Sequence, residues 1–227
     1  MPVNSCSRKP EVVSTLHFFD VDHTLIKGST GRRFAVAATR QGLLKLRHLA
    51  IIPFNFAAYR LGSGGNSFFE GEFPVIKGVQ KTLLERISRE VFEQRTRKAL
   101  RPELLRIIAS IKAEGGSVVL ATSSLDFIVR PLADLIGADA VLASRLEYDD
   151  GRCTGRMDGR ALFGADKRDA VLGYAQARGM ALADCAFYSD SIHDLPLLLE
   201  VGRPVAVAPD RRLRREAVAR DWKILPS

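Results

Sequence analysis

The first residues whose types and spacing suggest chemistry are two aspartates, Asp20 and Asp22, in the run Phe19-Asp-Val-Asp-His-Thr24. They follow the apolar stretch Val12–Phe19, whose β-branched residues are typical of a buried strand. Two carboxylates this close repel each other unless a cation or a proton lies between them. Because ligands of open α/β sheets bind at the carboxyl ends of strands, the pair predicts a ligand site there that is lined by carboxylates. A turn with an aspartate helix cap is the structural alternative for so short a motif.

Three hydroxyl residues, Thr122, Ser123 and Ser124, follow a second strand-like run, Val118–Ala121. We predict that a helix begins directly after them. Their hydroxyls and the free N–H groups of the helix N-terminus would then form an anion site. Simple capping of the helix by Ser or Thr is the structural alternative.

A lysine lies in the first turn of a further predicted helix, which opens with Gly164-Ala-Asp-Lys167. Its positive charge opposes the helix dipole, whose positive end is at the N-terminus. A locally unfavourable residue of this kind indicates a role outside the helix. A solvated surface lysine is the simpler alternative.

Two more aspartates, Asp190 and Asp194, follow the strand-like run Cys185–Tyr188. Asp190 has the same place after its strand as Asp20 has after the first strand, so we expect both carboxylates at one edge of the sheet. Asp194 precedes Pro196 by two residues, and a helix cap is its structural alternative.

The elements that must position these residues alternate between two patterns. Short apolar runs typical of buried strands occur at Val12–Phe19, Val118–Ala121, Ala140–Leu142, Cys185–Tyr188 and Val205–Ala208. Helical spacing occurs at Pro102–Ala113, Leu125–Ile136 and Asp169–Ala177. This alternation predicts an α/β fold with a Rossmann-like, doubly wound parallel sheet. Asp150-Gly151, between Tyr148 and Cys153, predicts a small β-hairpin.

The segment Lys27–Leu100 contains no strand-like run and carries 14 Lys and Arg against 5 Asp and Glu. We therefore predict an α/β core domain over residues 11–26 and 101–227, with an inserted all-helical cap domain over residues 27–100. The positive charge of this segment would attract small anionic substrates. The alternative is a charged surface that only keeps the protein soluble. Within this segment, the apolar stretch Ile51–Tyr59 is expected to be cap core, with an acyl-chain site as the alternative.

The composition of the whole chain excludes several protein classes. With 227 residues, of which 46% are hydrophobic and 26% charged, it is typical of a soluble globular protein. No apolar run approaches the roughly 20 residues of a transmembrane helix, and no apolar signal region opens the chain. The three cysteines, Cys6, Cys153 and Cys185, lack metal-ligand spacing, so we expect reduced thiols in a cytoplasmic protein.

In combination, the four motifs resemble those of the haloacid dehalogenase superfamily of phosphohydrolases, in its phosphoserine-phosphatase-like branch with a helical cap. The motifs stand here as Asp20-Val-Asp22-His-Thr24, Thr122, Lys167, and Asp190 with Asp194. The similarity covers almost all of Leu16–Ala208. It implies a Mg²⁺-dependent phosphomonoesterase that hydrolyses a small anionic phosphate ester through an aspartyl-phosphate intermediate.

The resemblance also implies a role for each motif residue. Asp20 is the nucleophile, and Asp22 protonates the leaving alkoxide and later deprotonates water. Asp20, Asp190 and the main-chain carbonyl of Asp22 hold Mg²⁺. Asp194 either contacts these ligands without touching the ion or binds the ion through a water molecule. The remaining members contact the phosphate: Thr122, the N–H of Ser123, and Lys167.

Two departures from the phosphoserine phosphatase pattern bear on the substrate. Ser29 stands near the position of an acidic cap residue that recognises the amino group of phosphoserine, and Thr122-Ser-Ser124 replaces Ser-Gly-Gly. We therefore expect either phosphoserine or the phosphate ester of another small amino alcohol, such as histidinol phosphate. Ser29 and the loop residue His193 are candidate substrate contacts.

Several other functions compete with this interpretation. Within the superfamily, the alternatives are a phosphomutase and a lysophospholipid phosphatase. Outside it, a nucleic-acid-binding protein would use the basic segment and Arg211-Arg-Leu-Arg-Arg215, but the basic segment has no recognisable binding motif and the arginines suit a solvated helix face. An inactive scaffold is disfavoured because the acidic residues and the lysine of the motifs are intact.

Overall fold

A computed structural model describes residues 15–45 and 74–226 of the chain. Its strands, in chain order, are β1 (Leu16–Phe19), β2 (Ser117–Leu125), β3 (Ala140–Ser144), β4 (Leu146–Asp149), β5 (Arg152–Met157), β6 (Ala186–Ser189), β7 (Arg203–Val207) and β8 (Lys223–Leu225). Six of them form one parallel sheet in the order β3-β2-β1-β6-β7-β8. The other two, β4 and β5, form a separate antiparallel hairpin. The predicted α/β fold with a parallel sheet and a small hairpin is therefore confirmed.

The helices, in chain order, are α1 (Thr30–Arg40), α2 (Lys81–Val91), α3 (Pro102–Ala113), α4 (Asp126–Ile136), α5 (Ala165–Gln176), α6 (Leu195–Leu198) and α7 (Arg211–Ala219). A π-helical turn, Phe92–Thr96, and a 3-10 turn, Arg97–Ala99, continue α2 towards the sheet. Within residues 15–45 and 74–226, no helix has the length and apolarity that a membrane crossing requires.

Helices cover both faces of the sheet because its central strands are apolar on both sides. Phe19 and Leu120 belong to a core shared with α3 and α4. Leu16 and Phe18 belong to a second core, shared with α5, α6 and α7. Successive side chains of a strand point to opposite faces, so a continuous apolar run such as β1 packs against helices on both sides.

The hairpin has the turn that its sequence predicts. Asp150 and Gly151 have positive φ angles of 43° and 71°, as the two central residues of a type I′ turn require. The hairpin also contacts the segment before α2, where the N–H of Gly78 donates to the carbonyl of Cys153 at 2.7 Å. Its side chains Leu146 and Cys153 share an apolar cluster with residues of α1, α2 and the first turn of α4.

The regular elements described within the basic segment are α1, α2 and the helical turns Pro74–Ile76, Phe92–Thr96 and Arg97–Ala99. The two connections of this segment to the sheet run side by side. The N–H of Lys27 donates to the carbonyl of Ala99 at 2.8 Å. On the return connection, the guanidinium of Arg101 donates to the carbonyls of Thr24, at 2.9 Å, and His23, at 3.1 Å. These contacts join the chain that leaves β1 to the chain that enters α3. The stretch Ile51–Tyr59 lies outside the described residues.

Two local predictions differ from the structure. The hydroxyl residues Thr122, Ser123 and Ser124 lie on β2, because β2 continues to Leu125 alongside β3, and the predicted helix α4 begins directly after this strand, at Asp126. A register shift between Thr122 and Leu125 accommodates the extra residues. Capping of α4 by these hydroxyls is also wrong, since its N-cap residue is Leu125. The second difference is β8, which the sequence patterns did not predict.

Candidate active site

The strand registers bring the predicted site residues to one edge of the sheet. Phe19 of β1 is paired with Leu120 of β2 on one side and with Tyr188 of β6 on the other. The chain after all three strands therefore emerges at the same carboxyl edge. Asp20 follows β1 directly, Asp190 follows β6 directly, and the hydroxyl residues occupy the end of β2.

Asp20 is buried, and each of its carboxylate oxygens has its own partner. Oδ1 of Asp20 lies 3.0 Å from Nζ of Lys167, and Oδ2 lies 3.1 Å from Oγ1 of Thr24. The main-chain N–H of Asp20 donates to the carbonyl of Tyr188 at 2.9 Å, which ties the residue to β6. Only 6% of Asp20 is exposed. The carboxylate therefore has a single defined orientation.

A single hydroxyl, that of Thr24, lies between the carboxylates of Asp20 and Asp190. Its Oγ1 is 3.1 Å from Oδ2 of Asp20 and 3.0 Å from Oδ1 of Asp190, and it also accepts the main-chain N–H of Asp190 at 3.0 Å. One hydroxyl carries one proton, so it serves only one carboxylate at a time. The two acids are thus held close together around one oxygen.

The electrostatics of this pair favour a bound cation. Burial raises the pKa of Asp20 to about 6; Lys167 opposes this rise, and the charges of Asp194 and Asp22 add to it. Burial, followed by the charge of Asp20, raises the pKa of Asp190 to about 7. The described side chains alone therefore do not stabilise both carboxylates in their charged forms.

The donor set fits Mg²⁺. Carboxylate and carbonyl oxygens are the ligands this hard cation prefers. Across residues 15–45 and 74–226, no group of three or more His, Cys, Asp or Glu side chains is placed to hold a metal ion. Asp20 and Asp190 supply two carboxylates, and the expected third protein ligand, the carbonyl of Asp22, belongs to the main chain.

Lys167 lies in the first turn of α5, as predicted, but it is not a surface residue. Only 3% of it is exposed, and its Nζ is 3.0 Å from carboxylate oxygens of both Asp20 and Asp194. Burial would lower the pKa of Lys167, but Asp194 and Asp20 more than offset this, so the pKa is raised. The lysine is a buried cation whose two anionic partners outweigh the unfavourable helix dipole.

Asp194 does not cap the helix that follows it. It is the N-cap residue of α6, but its side chain makes no capping hydrogen bond. Its buried carboxylate instead contacts Lys167 and accepts a bond of 2.6 Å from the hydroxyl of Ser189. The helix-cap alternative is therefore wrong. In this structure, Asp194 neutralises the lysine.

The second aspartate of the first motif, Asp22, is half-buried and contacts a residue of β2. Its Oδ2 accepts a bond of 2.7 Å from the hydroxyl of Ser124. The N–H of Ser124 in turn donates to Oγ1 of the buried Thr122 at 3.2 Å. Ser123 lies between these two residues, and its carbonyl accepts a bond of 2.9 Å from the hydroxyl of Ser144. The predicted phosphate-binding residues thus lie on the same strand end as the partner of Asp22.

The two candidate substrate contacts lie in local hydrogen-bonded motifs. Ser29 is the N-cap residue of α1, and its Oγ accepts the N–H of Arg32 at 3.2 Å. The main-chain N–H of His193 donates to Oγ of Ser191 at 3.3 Å, and its ring centroid is 5.0 Å from that of Phe163. Their contact with substrate stays a prediction.

Thr24 and Ser189 were not predicted as site residues, and Ser124 was predicted only as part of an anion site, not as a partner of Asp22. Thr24 had a usable signal, since it is four residues after Asp20 in the first motif. Nothing in the sequence indicated the contacts of Ser189, at the end of β6, and of Ser124, because their partners, Asp194 and Asp22, become neighbours only through tertiary structure.

The family of the chain is shown by comparisons with known proteins. The family model of haloacid dehalogenase-like hydrolases matches residues 17–199. A Streptomyces azureus protein, "Inhibition of morphological differentiation protein", is 34% identical over 93% of this chain and 78% of its own length. A "Probable phosphatase" of Mycobacterium tuberculosis is 32% identical over 93% of this chain and 75% of its own. A histidinol-phosphatase of Neisseria meningitidis is 28% identical over 94% of this chain and 99% of its own.

Solved structures show the same fold. A Bordetella pertussis Tohama I protein of unknown function has a TM-score of 0.82 and 28% identity, and the match covers 93% of this chain and 98% of that one. A phosphoserine phosphatase in its apo form has a TM-score of 0.66 and 19% identity, covering 94% and 93% of the two chains.

Proposed function

The chain belongs to the family of haloacid dehalogenase-like hydrolases, and on this premise we propose that it is a Mg²⁺-dependent phosphomonoesterase. The observation that carries the proposal is the setting of Asp20. Its carboxylate is buried, lies 3.0 Å from the ammonium of Lys167 and shares the hydroxyl of Thr24 with Asp190. This arrangement suits an oriented nucleophile among groups that neutralise phosphate charge.

The proposed reaction has two steps, both at Asp20. Its carboxylate attacks phosphorus, and the bond to the leaving oxygen breaks while Asp22 gives that oxygen a proton. The products are an alcohol and an aspartyl-phosphate. Asp22 then takes a proton from a water molecule that attacks phosphorus, which releases inorganic phosphate and restores the carboxylate of Asp20.

Phosphate binding is assigned to Lys167, which lies 3.0 Å from Asp20, and to two groups at the end of β2. Lys167, the hydroxyl of Thr122 and the N–H of Ser123 would hold the phosphate oxygens. Asp20, Asp190 and the carbonyl of Asp22 would hold Mg²⁺, which when bound neutralises negative charge on the phosphoryl group. Asp194 keeps Lys167 charged and aimed at the site.

For the substrate, we propose a small amino-alcohol phosphate, with histidinol phosphate and phosphoserine as the two leading candidates. The similarity to a histidinol-phosphatase over nearly the full length of both chains supports the first. Ser29, which stands near the acidic position of phosphoserine phosphatases, is occupied in capping α1. We also propose that residues 27–100 act as a cap that covers the bound substrate.

The direct test is phosphate release from a panel of monoesters in the presence of Mg²⁺. The panel should contain p-nitrophenyl phosphate, histidinol phosphate, phosphoserine and a lysophosphatidic acid. We expect turnover of p-nitrophenyl phosphate and preference for an amino-alcohol ester, with activity lost on chelation. Preference for the lysophospholipid would contradict the substrate class, and full activity in excess chelator would contradict the metal requirement.

A further inference from the structure

Asp22 is held by two groups from outside its own loop. Its Oδ1 accepts the main-chain N–H of Thr30 at 2.7 Å, and its Oδ2 accepts the hydroxyl of Ser124 at 2.7 Å. Thr30 is the first residue of α1, whereas Ser124 lies near the end of β2. The carboxylate is therefore anchored at once to the segment 27–100 and to the central sheet.

The two anchoring residues also contact each other. Oγ of Ser124 and Oγ1 of Thr30 are 2.9 Å apart, and the N–H of Ser124 is fixed by Oγ1 of Thr122. Thr30 is only 3% exposed. Because a separate donor holds each oxygen of Asp22, and the donors are themselves linked, the carboxylate has little freedom to rotate.

We propose that Ser124 is a positioning residue for the proton transfers of Asp22, and that Thr30 completes the clamp. The inference rests on the proposed function, which assigns these transfers to Asp22. Each carboxylate oxygen has two lone-pair sites, so after accepting one bond it keeps a site for the leaving group or for water. Ser124 acts through the aspartate and not on the substrate.

The geometry of proton transfer explains why such a clamp matters. A general acid must come within about 2.6–3.2 Å of the atom it protonates, so a rotated carboxyl group loses much of its effect. In phosphoserine phosphatases, the resemblance places a glycine at the position of Ser124, which supplies no hydroxyl. The hydroxyl that completes the clamp comes from the Thr122-Ser-Ser124 sequence of this chain.

The test compares the leaving-group dependence of wild type, Ser124→Ala, Ser124→Thr and Thr30→Val. The substrates are substituted phenyl phosphates, from p-nitrophenyl phosphate, whose leaving group needs no proton, to phenyl phosphate, whose leaving group is about as basic as tyrosine. The measured quantity is kcat/KM, which reports the steps up to cleavage of the bond to the leaving group. Slow hydrolysis of the aspartyl-phosphate does not affect it.

We expect Ser124→Ala to steepen the dependence on leaving-group basicity. Phenyl phosphate should lose about tenfold or more in kcat/KM, and p-nitrophenyl phosphate less than about threefold, because only the first requires the proton. Ser124→Thr, which keeps the hydroxyl, should restore the wild-type slope. Thr30→Val keeps the main-chain donor and should give an intermediate slope.

Two matched variants separate this inference from general damage and from the proposed function. Ser110→Ala removes a hydroxyl of α3 that donates to Glu114 at 2.7 Å, and it should leave the slope unchanged. Asp22→Asn should give the steepest slope. A steep slope for Asp22→Asn with a wild-type slope for Ser124→Ala would overturn the inference alone, whereas a wild-type slope for both would also overturn the acid role of Asp22.

A crystallographic readout needs no substrate. In a crystal structure of Ser124→Ala, we expect the carboxylate of Asp22 to rotate away from the N–H of Thr30 or to occupy more than one position. The same side chain in wild type and in Ser124→Thr should keep both bonds. An unchanged, fully occupied Asp22 in Ser124→Ala would overturn the inference whatever the activity of the protein.

Discussion

The ammonium of Lys167 lies 3.0 Å from Oδ1 of Asp20 and 3.0 Å from the carboxylate of Asp194. All three side chains are buried, with exposed fractions of 4%, 8% and 5% respectively. One buried cation thus forms ion pairs with two buried anions. The lysine is both the electrostatic partner of the proposed nucleophile and a condition for burying the two acids.

Replacement of this lysine should therefore affect stability as well as turnover. Lys167→Met leaves two buried carboxylates without their partner, and we expect a loss of about 3–5 kcal/mol in the free energy of unfolding near pH 8. The loss should shrink as the pH falls, because protonation of Asp20, whose pKa burial raises to about 6, removes uncompensated charge. Urea unfolding of metal-free protein at about pH 8 and about pH 5.5 measures this difference.

The control is Lys81→Met, because Lys81 forms an exposed pair with Glu85 at 3.9 Å. Such pairs contribute little to stability. A loss for Lys167→Met that is small, or equal at the two pH values, would show that the buried triad is not electrostatically important.

Binding of Mg²⁺ should compete with protons. The pKa values of about 6 for Asp20 and about 7 for Asp190 lie above the ordinary value for aspartate, so as the pH falls from 8 to 6 Asp190 becomes largely protonated and Asp20 about half protonated. Metal ligands must be deprotonated, and the affinity for Mg²⁺ should therefore fall by about tenfold or more over this range. Isothermal titration calorimetry in buffers of different ionisation enthalpy measures both the affinity and the protons released. An affinity that does not change with pH would contradict the assignment of these ligands.

The hydroxyl of Thr24 should contribute to metal affinity without touching the metal. Thr24→Val keeps the shape of the side chain but removes the hydrogen bonds to Asp20 and Asp190. Loss of such a supporting partner typically costs about 10–100-fold in metal affinity, and we expect a loss of this size for Mg²⁺. Thr39→Val, which removes a hydroxyl bonded to the carbonyl of Ala35 within α1, is the matched control. Equal Mg²⁺ affinities in the two variants would rule out this role.

Much of the fold could be predicted because its strands are buried on both faces. Runs such as Val118–Ala121 are apolar without interruption, which distinguishes them from the helical spacing of Pro102–Ala113. The three-residue strand β8 lies at the edge of the sheet and has no comparable run. The end of β2 was misplaced because pairing with β3, rather than local residue preference, extends it through polar residues to Leu125.

Site residues could be predicted where their position at the end of a strand or the start of a helix is itself informative. Asp20 and Asp190 follow buried strands, and Lys167 opposes the dipole of its own helix. Residues that act by holding another residue were not predictable. Ser124 reaches Asp22 across 102 positions of sequence, so no local pattern indicates that contact.

The two aspartates of the first motif have different proposed roles, which substitution by asparagine separates. Asp20→Asn removes the attacking carboxylate, so no aspartyl-phosphate forms. Asp22→Asn removes a proton donor that p-nitrophenyl phosphate does not need, whereas an alkyl phosphate should lose about 10²–10⁴-fold. Later hydrolysis of the intermediate should be slower in Asp22→Asn, because the same residue activates water.

The most direct test of these roles is therefore the burst of p-nitrophenol in rapid-mixing experiments with p-nitrophenyl phosphate and Mg²⁺. We expect Asp22→Asn to retain a burst close to one equivalent per active site, and Asp20→Asn to show none. A burst in both variants, or activity retained by Asp20→Asn alone, would contradict the assignment of Asp20 as nucleophile and Asp22 as acid and base.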